Sequence, residues 1–223
     1  MAETLKGETT VLEPTRAERA IARRTAETRA TVPDLELGAD VDIEPALAVA
    51  AAHDCSVQAV LVRACALALR AHPRANAAYR DGRYELYSRV NVALTVQTED
   101  GYLSPTVLDA DTKPLPVLSS ELATLTERAR AGELTPPELA GATFTLTDLA
   151  AWGVARAGAM VSAPQAAALA AGAVRAVPVV HGGAVVPGHM LSLTLAGDSR
   201  ILFGAHAASF LAGVCDQLAG ATV

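Results

Sequence analysis

Between Arg156 and Arg175 the chain carries no charged side chain, and this run limits the available folds more than any other feature. Such a segment has to leave water. A bilayer-spanning helix needs about 20 consecutive, mostly bulky apolar residues. This run is made of small residues and places Ser162, Pro164 and Gln165 at its middle. It therefore reads as a buried strand–turn–helix rather than a membrane span. Composition agrees: of 223 residues 51% are hydrophobic, yet only 4% are aromatic. The core must come from Ala, Val and Leu, in packed helices and sheets rather than an aromatic platform. Hydrophobicity of this order excludes a disordered chain, and three cysteines cannot make a disulfide framework at this length.

The net charge of −6 and the absence of a basic stripe make nucleic acid a poor partner. The opening residues lack the charged-then-apolar order of a secretory signal. Cys55, Cys65 and Cys215 are far apart and have no CxxC partner, as expected of small buried hydrophobes in a reducing cytoplasm.

Pro and Gly are spread evenly and no repeat is present, so residues 13–223 are expected to form a single domain behind a tail of residues 1–12. Residues 15–30 read as a capped amphipathic helix closed by Val32-Pro33. Leu35, Leu37, Ala39 and Val41 then alternate with polar residues or glycine, the period of a half-buried strand. Ser56 caps a deep helix from Val57 to about Arg70. Residues 84–87, 90–98 and 103–108 read as strands, the last two joined by Glu99-Asp100-Gly101. A helix over 118–131 stops at Gly132, and Thr143–Thr147 is a β-branched strand. Further strand signals cover Ala166–Ala171, Val177–Val180 and Met190–Leu195, before a closing helix from Ala207 to Leu218. Helices and strands mix without regular alternation, which predicts an α/β two-layer sandwich with a mixed sheet.

Five histidines offer chemistry. His53 beside Cys55 suggests a nucleophile pair, but both lie in a polar lead-in with no oxyanion donor, so a surface loop is the better reading. His72 fits a helix C-terminus, and His181 and His189 flank the Gly182-Gly183 turn. His206, at the start of the last helix, stays open as a functional candidate. No metal-ligand spacing and no phosphate-cradling glycine loop are present.

Several segments, in order, go further. Arg19-Ala20-Ile21-Ala22-Arg23-Arg24 precedes Val32-Pro33, and Pro73-Arg74-Ala75-Asn76-Ala77 resembles an NP-x-x-NA segment. Val90-Asn91-Val92-Ala93-Leu94-Thr95-Val96 leads through Asp100-Gly101 to Pro105-Thr106-Val107. Ala129–Leu134, Gly141–Leu149 and Ala163-Pro164-Gln165 follow. From about residue 13 to 218 the chain resembles the catalytic domain of the dihydrolipoamide acyltransferases of 2-oxoacid dehydrogenase complexes, which share a fold with chloramphenicol acetyltransferase.

The resemblance implies a homotrimer with active sites between subunits, entered by coenzyme A from one side and the acceptor from the other. It also implies acetyl-CoA as a co-substrate, with no permanently bound cofactor. In the family, the histidine of a D-H-R-x-x-D-G pattern is the general base, and a hydroxyl in a TFT-x-S strand binds the tetrahedral oxyanion. Here the matching segments carry Asp198-Ser199-Arg200-Ile201-Leu202-Phe203-Gly204 and Thr143–Thr147. Ser199 stands where the histidine is expected and Phe203 where the second aspartate is. Thr147 keeps the hydroxyl, and Asp148 replaces the following asparagine, on the opposite face of the strand. Asp148, Arg200, Phe203 and Gly204 are expected to line the substrate site.

No lipoyl-bearing domain precedes this core and no long apolar tail follows it, so the expectation is a free trimer outside any dehydrogenase complex. Two readings remain open. One is a retooled acyltransferase of the freestanding biosynthetic type that O-acetylates small hydroxylated acceptors such as tetronate polyketide intermediates, with Asp198, Ser199 or His206 as replacement base. The other is a non-catalytic trimeric homologue serving as scaffold or partner.

Overall fold

A two-residue alternation of Leu against Thr, Ala and acidic residues gives the main sheet two unlike faces. In the computed structural model, which describes residues 7–220, the order is α1 (Arg16–Thr31), β1 (Asp34–Asp42), α2 (Glu44–Ala52), α3 (Val57–Ala71), β2 (Ala77–Arg80), β3 (Arg83–Leu86), β4 (Val92–Thr98), β5 (Gly101–Leu103), β6 (Thr106–Val107), α4 (Leu115–Ala131), β7 (Phe144–Asp148), β8 (Ala167–Ala171), β9 (Arg175–His181), β10 (Ala184–Asp198) and α5 (Gly204–Gly220). The main sheet runs β1-β10-β8-β7-β4-β5, with β6 on β4 and β9 on β10. β7 lies parallel to both β4 and β8, and the other pairings are antiparallel. The sheet is therefore mixed. Residues 7–15 precede α1 without regular structure, and residues 1–6 of the expected tail lie outside the described residues.

Register fixes what each face offers. Leu94, Leu146, Leu169, Leu195 and Leu37 form one row across β4, β7, β8, β10 and β1. The first four are fully buried and pack with Val60, Leu69, Phe210 and Val214 of α3 and α5. Each such leucine contributes about 2 kcal/mol of burial, so this row ties the helical layer to the sheet. The neighbouring row, Thr95, Thr147, Ala170, Thr194 and Gly38, faces the other way. There a small cluster of Val32, Ala159, Val161, Ala170 and Ala196 is roofed by the uncharged run itself. Gly172 permits the close approach: a Cβ at that position would sit 2.1 Å from the Ala155 carbonyl oxygen.

Local signals set the helix ends. Thr15 and Glu18 form a reciprocal capping box on α1, and Ser56 Oγ accepts the Ala59 N–H of α3. Gly132 ends α4 with φ of 70°, the left-handed cap that glycine adopts at low cost.

Four expectations are corrected. The uncharged run contains a turn and strand β8 but no helix, because β7 and β10 flank its alanines and tertiary pairing outweighs alanine's helix propensity. The strand expected over 103–108 is two short strands, interrupted where Pro105 has no N–H to give a ladder. Helix α2 was not expected. Helices α4 and α5 each begin three residues earlier than read, which puts His206 inside the first turn of α5. No single helix among the described residues is long and apolar enough to cross a membrane.

Candidate active site

Strand β7 carries Thr147 on the face away from the helices. Its Oγ1 lies 3.0 Å from Oγ1 of Thr95 on β4, since the two residues are register partners in a parallel pair. Both are half-buried. Asp148 points to the helical side, as alternation requires. Its Oδ2 accepts from Gln58 Nε2 at 2.9 Å, and its Oδ1 accepts the Ala150 N–H at 2.9 Å.

The second group of candidates follows the end of β10. Asp198 is 2% exposed. Arg200 donates to it from Nε, Nη2 and its backbone N–H. This hydrogen bonding raises the Arg200 guanidinium above its already high ordinary pKa, and the same guanidinium stacks 4.6 Å from the Tyr79 ring. Ser199 spends both its donors on one acceptor: Oγ and the backbone N–H reach the Pro33 carbonyl at 2.6 and 3.0 Å. Phe203 is 44% exposed, with its ring 5.8 Å from that of His206. The Arg74 guanidinium lies 5.2 Å from the Tyr84 ring and 5.5 Å from Phe203. Its one hydrogen bond, to the Ile201 carbonyl, is long at 3.5 Å, and it has no carboxylate partner among the described residues. Next to Phe203, Gly204 is open, with nothing within 4 Å of where a Cβ would stand.

The two groups do not meet in one chain. Asp198 lies four residues beyond Thr194, and Thr194 and Thr147 flank Ala170 on the next strands. That separation is roughly 16 Å from strand rise and spacing. One substrate carbonyl cannot touch both Thr147 and the 198–204 turn of the same subunit. The other histidines lie apart from both groups. Cys55 Sγ donates to the His53 carbonyl, so the two make no thiol–imidazole pair. His72 packs edge-on against Phe210, and His189 Nδ1 lies 2.6 Å from Glu44. Reading the sequence missed Thr95, Gln58, Pro33 and Arg74 as partners of the candidates. Each comes from a distant segment: strand register brings in Thr95 and Pro33, and helix α3 with the turn that follows it brings in Gln58 and Arg74.

The model of the 2-oxoacid dehydrogenases acyltransferase catalytic domain matches residues 6–222. The chain belongs to this acyltransferase family. Its relatives include the dihydrolipoyllysine-residue acetyltransferase component of the pyruvate dehydrogenase complex of Zymomonas mobilis, 32% identical in an alignment of 202 positions that covers 86% of this chain and 46% of the relative. The chain thus spans about half the length of the curated relatives it matches. Among solved structures, the dihydrolipoamide acetyltransferase of Azotobacter vinelandii superposes with a TM-score of 0.91 at 30% identity, covering 98% of this chain and 95% of that one. That protein was studied for the role of one serine, one histidine and one asparagine in its catalytic mechanism. Chloramphenicol acetyltransferase shares the fold alone, with a TM-score of 0.59 at 14% identity over 91% of this chain and 94% of that one. The family's mixed-sheet sandwich is the architecture expected from the sequence.

Proposed function

We propose that this acyltransferase-family domain transfers an acyl group from acyl-CoA to a small hydroxylated acceptor that carries its own acidic group, without a protein base at position 199. The observation that carries this reading is the contrast between two hydroxyls. Thr147 is half-buried and, among the described residues, the only partner of its side chain is another hydroxyl, whereas Ser199 has its proton committed to Pro33. The serine, histidine and asparagine studied in the Azotobacter protein are separated along its chain by the same intervals as Thr147, Ser199 and Phe203 here. That correspondence supports the reading that the oxyanion donor is kept and the base is gone. Loss of a positioned base costs about 10²–10⁴-fold, which proximity can offset.

Chemically, the acceptor oxygen attacks the thioester carbonyl while its proton passes to the acceptor's own ionised group. The carbonyl oxygen gathers negative charge against the Thr147 hydroxyl. The C–S bond then breaks, and the proton ends on the departing thiolate. Arg74, short of hydrogen bonds and held between Tyr84 and Phe203, supplies a cation for the acceptor's acidic group. The 16 Å gap between Thr147 and the 198–204 turn supports a homotrimer in which one subunit offers Thr147 and its neighbour offers the turn. Tetronate-type intermediates fit the acceptor chemistry. Calorimetric binding of acetyl-CoA, followed by release of free coenzyme A that depends on a hydroxylated tetronate acceptor, tests the proposal. Binding without release with any acidic acceptor overturns it.

One observation favours a second reading. No group in the 198–204 turn is placed to take a proton: Asp198 is closed by Arg200, Ser199 donates to Pro33, and Phe203 is apolar. A non-catalytic trimeric homologue would show this pattern too. Absence of acetyl-CoA binding would establish it.

A further inference from the structure

Two threonine hydroxyls 3.0 Å apart can share only one hydrogen between them. Neither Thr95 nor Thr147 has another side-chain partner among the described residues, so one hydroxyl hydrogen of the pair is left over for a ligand. Both side chains are β-branched and stiff about χ1, and strand register holds them side by side. Thr194, in the same cross-sheet row, cannot join them. Ala170 stands between, and the Thr194 hydroxyl is buried without a partner.

We propose that Thr95 is a positioning residue for acyl transfer, donating its hydroxyl hydrogen to Thr147 Oγ1 so that the Thr147 hydrogen points at the substrate oxyanion. The direction follows from counting donors. Thr147 has a single O–H, and if it gave that hydrogen to Thr95 it would have none for the thioester carbonyl. Accepting from Thr95 also polarises the Thr147 O–H, and chained hydrogen bonds strengthen one another in a low-dielectric site. The inference rests on the reading that Thr147 faces the acyl carbonyl, and on nothing else in the proposed mechanism.

The test compares Thr95→Val, which keeps shape and β-branching, with Thr95→Ser, which keeps the hydroxyl, and with Thr147→Val. Coenzyme A release is measured over a range of acetyl-CoA and acceptor concentrations. Thr95→Val should lower kcat about tenfold, the worth of one ordinary hydrogen bond made in the transition state. KM for acetyl-CoA and the thermal melting point should stay close to wild type. Thr95→Ser should restore most of kcat. Thr147→Val should cost more, about 10²–10³-fold, as loss of an oxyanion donor does. An unchanged kcat in Thr95→Val, or a serine variant as slow as the valine, overturns the inference while leaving Thr147 in place. A larger loss from Thr95→Val than from Thr147→Val reverses the order of donation and overturns it too. If Thr147→Val turns over like wild type, or wild type releases no coenzyme A at all, the reading of Thr147 fails and the inference with it.

Discussion

Arg200 closes both ends of its fork on Asp198, with Nε 2.9 Å from Oδ1 and Nη2 2.7 Å from Oδ2. The two partners are unequally exposed: the Asp198 side chain is 3% accessible and that of Arg200 is 33%. This inequality predicts which half of the pair matters more. Arg200→Ala strands a buried carboxylate with only the backbone N–H of residue 200 to face it, and should cost about 3–5 kcal/mol. Asp198→Ala leaves a guanidinium that still stacks on Tyr79 and reaches water, and should cost about 1.5–3 kcal/mol. Urea unfolding of both variants checks the order. Equal losses would mean that the pair is not held by burial of its acid.

Ser199 is bound to Pro33 as tightly as a serine can be, so Ser199→His trades one hydrogen bond, worth about 1 kcal/mol, for an imidazole at the turn. Under the proposed function, in which the acceptor supplies its own acidic group, the variant should gain about 10²-fold on a neutral alcohol acceptor. It should gain little on an acceptor that ionises by itself. Equal gains on both classes would count against the self-ionising acceptor.

The candidate site is only partly legible in the sequence. Thr147, Asp198 and Arg200 stand out as candidates because each sits in a short linear pattern, and the sense of Asp148 follows from strand alternation. Capping of α1 and α3 and the stop at Gly132 were equally local. Register is not local. Thr95 and Thr147 are partners because β4 and β7 run parallel with no slip, and Ser199 meets Pro33 because β1 and β10 are aligned from Asp34↔Asp198 onward. The uncharged run failed as a helix for a similar reason. Its alanines carry no face of their own, so their neighbours decided.

Burial pushes the Cys65 thiol up to about 12, helped by the nearby Cys215. Burial, with Asp216 adding to it, also raises the Cys215 thiol above its ordinary value. Since the thiolate is the reactive form, native protein treated with iodoacetamide at pH 8 should be modified first at the half-buried Cys55. Cys65 should react only after denaturation. Mass mapping of the alkylated peptides reads this directly, and early labelling of Cys65 would mean that α3 opens under native conditions.

The loop roofing the threonine row is tethered at Asp40, whose carboxylate accepts from Ser192 Oγ at 2.5 Å and from Arg156 at 3.0 and 3.1 Å. Ser192 first, then Arg156, hold its pKa below the usual aspartate value of 3.8, with partial desolvation opposing them. A depressed folded pKa means that the unfolded chain binds the proton more readily. The contribution is complete above the unfolded value and fades as the pH falls through the folded one. Asp40→Asn should therefore be less stable than wild type at pH 7, and the gap should close as the pH falls below 3.8. Urea midpoints for both proteins at pH 7 and at acid pH check the sign. A gap that stays constant would assign the loss to hydrogen-bond geometry rather than charge. Because Arg156 leads into the loop over Ala170 and Ala196, the variant should also exchange the backbone amides of 157–163 faster at neutral pH.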